Sequence, residues 1–173
     1  MKIAATLGTV AIALALQLAL ARYTVGGRWV FDLVVVGVVY AALTWGPAAG
    51  MVAGTAGGLI QDVLSNDVAG SGGLAKTLVG FVAGAVGSRF VVARPMARVA
   101  MVAGASVIHR LLLIGIHALI DRQWPAFPGG ALLGETLLNS VVALMVFQGG
   151  ESWAGAIWRG RPGRRAGLKR REW

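Results

Sequence analysis

The sequence predicts an all-α polytopic membrane protein with six transmembrane helices and both termini in the cytoplasm. Three observations carry that prediction. Hydrophobic residues fill 57% of the 173 positions and charged residues only 13%, against roughly 25% charged in ordinary soluble domains. So few charges cannot cover a globular surface, and lipid is the natural solvent for the remainder. The apolar positions also gather into six runs, separated by short polar or Gly-Pro punctuation. Finally, seven of the sixteen Lys and Arg fall in residues 159–173, and the other nine lie mostly at the ends of apolar runs. With both termini inside, eleven basic residues face the cytoplasm (Lys2, Arg89, Arg94, Arg98 and the seven of the tail) and three, Arg22, Arg28 and Arg122, face outward. That asymmetry follows the positive-inside rule, and the inverted topology does not.

The length allows one domain, read here as a transmembrane part over 1–150 and a basic cytoplasmic tail over 151–173. The first run, Ile3 to Ala21, is longer than the roughly 7–15 apolar residues of a signal peptide and is expected to be retained as a span. Small residues at Ala4, Gly8, Ala11, Ala15 and Ala19 recur at three- and four-residue steps, so one face can approach another helix closely. A connection with Arg22, Arg28 and Trp29 leads to a second span, about Val30 to Trp45. Its β-branched run (Val34, Val35, Val36, Val38, Val39) would suit a buried strand in water, but among neighbouring spans in lipid a helix is expected.

Gly46-Pro47 ends that span, with Pro47 placed for the first turn of the next. The third span is about Pro47 to Leu64 and the fourth about Leu74 to Phe90. Between them Ser65-Asn66-Asp67 through Gly73 supplies a helix stop and a new start, with Ser71 the expected N-cap. Eleven of the 26 glycines lie between Gly46 and Arg89. In the third span Gly46, Gly50, Gly54 and Gly58 form an uninterrupted four-residue row whose next member is Asp62; in the fourth the row is Lys76, Gly80, Gly84 and Ser88. Such rows are slanted ridges that favour close crossings of roughly −40°. An antiparallel hairpin joined near Asp62 and Lys76 would let that pair share a polar notch. The two readings for these residues are helix packing with Asp62 anchoring the loop, and a notch that recognises a partner or solute.

A basic turn (Arg89, Arg94, Pro95, Arg98) precedes the fifth span, about Met96 to Ile120. The loop Asp121-Arg122-Gln123-Trp124-Pro125 follows it, then a sixth span, about Gly129 to Phe147. Arg110, Ile114, His117 and Asp121 share one face of the fifth helix, and Glu135 and Asn139 share one face of the sixth. At about 1.5 Å per residue, Arg110 and Asn139 lie roughly 15 Å from the outer ends of their spans and Glu135 roughly 9 Å. A charge alone at such depth costs at least about 2.5–3.5 kcal/mol. Arg110 is therefore expected to pair with Glu135 or Asn139, and the alternative is that it snorkels alone toward water. His109 and His117 read as hydrogen-bonded struts or as a proton relay.

No catalytic set stands out. There is no Cys, only two His, no Walker sequence and no H-E-x-x-H. The glycine-rich stretches do not follow a strand, so a nucleotide fingerprint fails on context. Neither a metal nor a cofactor is expected. The tail from Arg159 to Arg171 is basic enough for nucleic acid, but next to a cytoplasmic span end anionic lipid is the simpler partner, at about 1 kcal/mol per basic residue. Trp153 and Trp158 are expected in the interfacial belt.

The order of these features resembles the rod shape-determining protein MreD family. The specific part runs from Asp32 to Gly84: Phe31-Asp32-Leu33-Val34-Val35 opening the second span and Val39-Tyr40-Ala41-Ala42-Leu43. It continues through Gly46, Gly50 and Gly54, then Gly58-Leu59-Ile60-Gln61-Asp62-Val63-Leu64-Ser65, Gly70 and Leu78-Val79-Gly80-Phe81-Val82-Ala83-Gly84. Phe31 departs from the family, where Pro commonly precedes the Asp. The resemblance implies a non-enzymatic scaffold of the bacterial elongation machinery in the cytoplasmic (inner) membrane. Its partners would be an MreC-like bitopic protein and, directly or through it, RodA with its class B penicillin-binding transpeptidase, supporting lateral peptidoglycan synthesis and cell shape. The family's fold is similar to the six-helix substrate-binding subunits of energy-coupling-factor vitamin transporters. That similarity supplies the second reading, in which Ala11, Ala15 and Ala19 dock a coupling protein and an outward pocket holds a vitamin.

Overall fold

The described residues form six helices, α1 (Lys2–Leu20), α2 (Leu33–Trp45), α3 (Pro47–Ser65), α4 (Ser71–Arg89), α5 (Pro95–Asp121) and α6 (Gly129–Arg159). The computed structural model describes residues 2–20, 31–65, 68–90, 94–122 and 129–159, side chains of 2 and 150–159 excepted. Among these residues there is no strand, so the valine run of α2 is helical. The expectations for Arg22, Arg28 and Trp29, for Asn66 and Asp67, for Gln123, Trp124 and Pro125, and for the tail side chains lie outside the described residues. The sixth helix does not stop near Phe147. It continues past residue 150 to Arg159.

Helix α2 is the axle of the bundle. Among the described residues it packs on every other helix, whereas α1 reaches only α2 and α3, and α6 reaches only α5 and α2. One apolar cluster joins Val10 and Leu14 of α1 to Val34, Val38 and Ala41 of α2 and Ala53 of α3. A second joins Val35, Val36, Val39 and Ala42 to Val79 and Ala83 of α4, Val102 and Ala105 of α5, and Ala143 and Phe147 of α6. Branched side chains all round α2 thus serve two cores at once, which is why its sequence shows no polar face.

The α2–α3 corner is set by Gly46 at φ +95°, a left-handed value that an L side chain rarely adopts, followed at once by Pro47 in the first turn of α3. The α3–α4 hairpin is held by its glycines. Gly50 lies against the backbone of Gly80, Gly54 against that of Lys76, Gly58 against Gly73, and Gly84 against Pro47. At each of these a single added Cβ would overlap main-chain atoms of the facing helix. The two four-residue ridges therefore face each other inside the molecule and present no free surface to a further helix.

Among the described residues three helical stretches are long and apolar enough to cross a membrane: Ile3–Leu20, Pro95–Asp121 and Gly129–Gly149. The surface matches. Large apolar side chains are exposed along α1, α3, α4, α5 and α6, up to 81% for Leu119, while Thr6, Gln17, Asp32, Lys76, Ser106, His109, Glu135 and Asn139 are buried. Polar groups inside and apolar groups outside is the arrangement of a protein whose solvent is lipid.

Candidate functional site

Asp32 organises the site. It stands at the N-cap of α2, where its Oδ1 accepts from the backbone N–H of Val34 and Val35 at 3.1 and 3.2 Å. Those first-turn amides have no partner within the helix, so a carboxylate there satisfies them and suits the positive end of the helix dipole. Its other oxygen, Oδ2, is 2.8 Å from the Lys76 ammonium of α4. Lys76 Nζ in turn lies 3.1 Å from His109 Nε2 of α5. An ammonium has only donors, so Nε2 accepts and the ring proton resides on Nδ1. That N–H has no acceptor: the nearest carboxylate oxygen, Asp32 Oδ2, is 3.9 Å away.

The same end of α2 is gripped from both flanks. Asn139 of α6 accepts from the Asp32 backbone N–H through Oδ1 at 2.9 Å, and its Nδ2 donates to Ser106 Oγ of α5 at 3.0 Å. Gln17 of α1 accepts from the Val34 N–H through Oε1 at 3.3 Å. Five helices thus meet at one turn of backbone through side chains that would be costly to expose to hydrocarbon.

One expected contact is replaced and another is made. Lys76 does not pair with Asp62. The glycine register places Lys76 opposite Gly54 and Asp62 beside Gly70, about 9–12 Å apart along the hairpin at the helical rise. Asp62 instead accepts three backbone N–H groups at the start of α4, from Gly70, Gly72 and Gly73 at 2.9, 3.1 and 3.2 Å, all on Oδ2. It is the cap of α4, supplied from the neighbouring helix. Ser71 is consequently not the N-cap: Gly70 holds that position at φ +95°, and the Ser71 hydroxyl donates to the Val68 carbonyl. Of the two partners expected for Arg110, Asn139 serves Asp32 and Ser106 instead, and Glu135 is the one it meets. Arg110 Nη1 lies 3.5 Å from Glu135 Oε2, with Glu135 buried and the Arg110 side chain 22% exposed.

Between α3 on one side and α5 and α6 on the other is a cleft of about 110 Å³, lined at its polar end by Asp32, Gln61, Asp62, Lys76, His109, Arg110 and Glu135, so Asp62 and Lys76 share a notch without pairing. Helix α3 packs on neither α5 nor α6, so the cleft separates the glycine-packed part of the bundle from the α5–α6 hairpin. His117 is not part of it; its Nδ1 lies 2.8 Å from the carbonyl of Leu113 in its own helix. His109 and His117 therefore do not form a continuous relay. Among the described residues no group of three or more His, Asp and Glu side chains is placed to hold a metal ion.

Comparison of the chain with protein-family models, with curated proteins and with solved structures finds no match. The residues that sequence reasoning missed are Asp32 as the partner of Lys76, and Gln17 and Ser106. The signal for Asp32 was present, a carboxylate directly before a wholly apolar helix, but it reads locally as a helix opener. Nothing in the spacing points to a lysine on another helix.

Proposed function

We propose that the chain is a six-span protein of the bacterial cytoplasmic membrane, termini inside, that acts as a non-enzymatic scaffold of the rod complex and binds the single transmembrane helix of an MreC-like partner. The resemblance to the MreD family supports the reading, and the structure gives its residues a shared task. Asp32, Gly50, Gly54, Gly58, Asp62, Gly80 and Gly84 all hold α2, α3 and α4 together. Arrangements around RodA and its transpeptidase belong to the same proposal, as does contact of the basic tail with anionic lipid.

One observation carries the partner surface. Helix α1 turns Thr6, Val10, Ala13, Leu14 and Gln17 inward and leaves Ala4, Gly8, Ala11, Ala15 and Ala19 exposed. A Cβ built on Gly8 meets nothing within 4 Å. In lipid, where apolar side chains gain little by touching one another, an exposed face of small residues lets a second helix approach closely. The partner groove thus belongs on α1 and not on the glycine ridges. The test is co-purification of an MreC-like partner with an Ala11→Leu/Ala15→Leu variant. Capture is expected to be lost while insertion and detergent stability are retained; unchanged capture would reject the α1 surface.

The polar cleft favours the second reading, a substrate-binding subunit of an energy-coupling-factor transporter. That reading would use the same α1 face to dock a coupling protein. Capture of a coupling protein and its ATPases instead of an MreC-like partner would select it.

A further inference from the structure

We propose that the cleft between α3 and the α5–α6 hairpin binds a small zwitterion of amino-acid size, its carboxylate on the Arg110 guanidinium and its ammonium group between Glu135 and the Gln61 carbonyl oxygen. This goes beyond the scaffold reading and does not depend on it.

Asp32 and Lys76 satisfy one another, with the backbone of α2 and His109 taking further bonds. Three backbone N–H groups occupy one oxygen of Asp62. These groups form the floor of the cleft. What remains open is the second oxygen of Asp62, Oδ1, and, facing it, two donors and two acceptors. His109 is 98% buried, lines the cleft, and its Nδ1–H has no acceptor. Gln61 Oε1 is buried with no donor. Arg110 and Glu135 approach only to 3.5 Å, longer than the 2.7–2.9 Å of a tight charge-assisted bond. That leaves most of the guanidinium fork and one carboxylate oxygen without a partner.

An anion alone would answer Arg110 and His109 but would crowd Glu135 and leave Gln61 unpaired. A cation alone would do the reverse. A ligand bearing both charges a few ångströms apart answers all four, and the planar fork of arginine suits a carboxylate.

Size narrows the class. A cavity of about 150 Å³ holds benzene, so about 110 Å³ accommodates a molecule such as glycine or alanine and not a phospholipid headgroup with its phosphate. Water is the competing occupant. At about 30 Å³ each, three or four molecules would fill the space.

Calorimetric titration of the full-length chain in detergent with glycine, acetate, methylammonium and glycerophosphoethanolamine decides the matter. Saturable binding of glycine is expected, with acetate and methylammonium weaker by roughly tenfold or more, because each leaves one charged partner unpaired. Arg110→Gln and Glu135→Gln should each abolish glycine binding. Gln61→Leu, which removes no intramolecular bond, should weaken it in a protein whose unfolding temperature is unchanged. The proposal is overturned by the absence of saturable heat with every probe, which leaves a water-filled cleft. It is overturned equally by acetate or methylammonium binding as tightly as glycine, by tighter binding of glycerophosphoethanolamine, or by full retention of glycine binding in Gln61→Leu.

Discussion

The two hairpins of this bundle solve the same problem differently. In α3–α4 the backbones touch, through Gly50 on Gly80, Gly54 on Lys76 and Gly84 on Pro47, and nothing fits between them. In α5–α6 a Cβ built on Gly104, Gly115, Gly130 or Gly134 meets nothing within 4 Å. That hairpin is joined to itself and to α2 by Asn139, Ser106, Arg110 and Glu135. Lipid tails are as apolar as leucine, so burying leucine gives helices little reason to associate. Close contact and hydrogen bonding take its place. The first device makes a dry, rigid joint. The second spaces helices by the length of polar side chains, and the space left over is the cleft.

The sharpest way to break the contrast is to add volume on each side of it. Gly54→Leu drives a side chain into the main chain of Lys76, and neither backbone can yield without undoing the hairpin. The cost should exceed the about 1–3 kcal/mol of ordinary overpacking, so the variant is expected to fail to elute as a monodisperse species on size exclusion. Gly104→Leu, on the open side, should elute as the parent does. Equal behaviour of the two would remove the distinction between the hairpins.

A smaller effect is expected at the hairpin turn. Asp62→Ala frees the N–H groups of Gly70, Gly72 and Gly73, and loss of a cap costs about 0.5–2 kcal/mol. Hydrogen exchange should quicken at those amides while the amides of Asp32 and Val34 are unaffected. The smallest is at Arg110 and Glu135. Their 3.5 Å contact is partly open, and a coupling of only about 0.5–1 kcal/mol is expected from a cycle of Arg110→Leu, Glu135→Leu and the double variant. Additive losses would show that the two groups are held apart.

Helix number, the α2–α3 corner and the glycine ridges were all readable from the sequence, because each depends on local pattern: apolar run length, Gly46-Pro47, and a four-residue period. The partner of Lys76 was not. Its proximity to Asp62 along the chain suggested a pair, yet the antiparallel register is fixed by glycines that must meet backbone to backbone, and that register carries Lys76 up the hairpin toward α2. Asp32 looked like a helix opener because that is half of what it does. Asn139 was correctly placed as a buried polar group, but its partner is a backbone N–H, which no side-chain pattern announces.

Asp32, and not Asp62, neutralises the buried Lys76. Thermal unfolding in detergent of Asp32→Asn, Lys76→Met and the double variant tests this directly. Removing either charge alone strands the other inside the bundle and should cost about 3–5 kcal/mol; removing both should cost less than either single change. Strictly additive losses in that cycle, or recovery of Lys76→Met by Asp62→Asn, would contradict it.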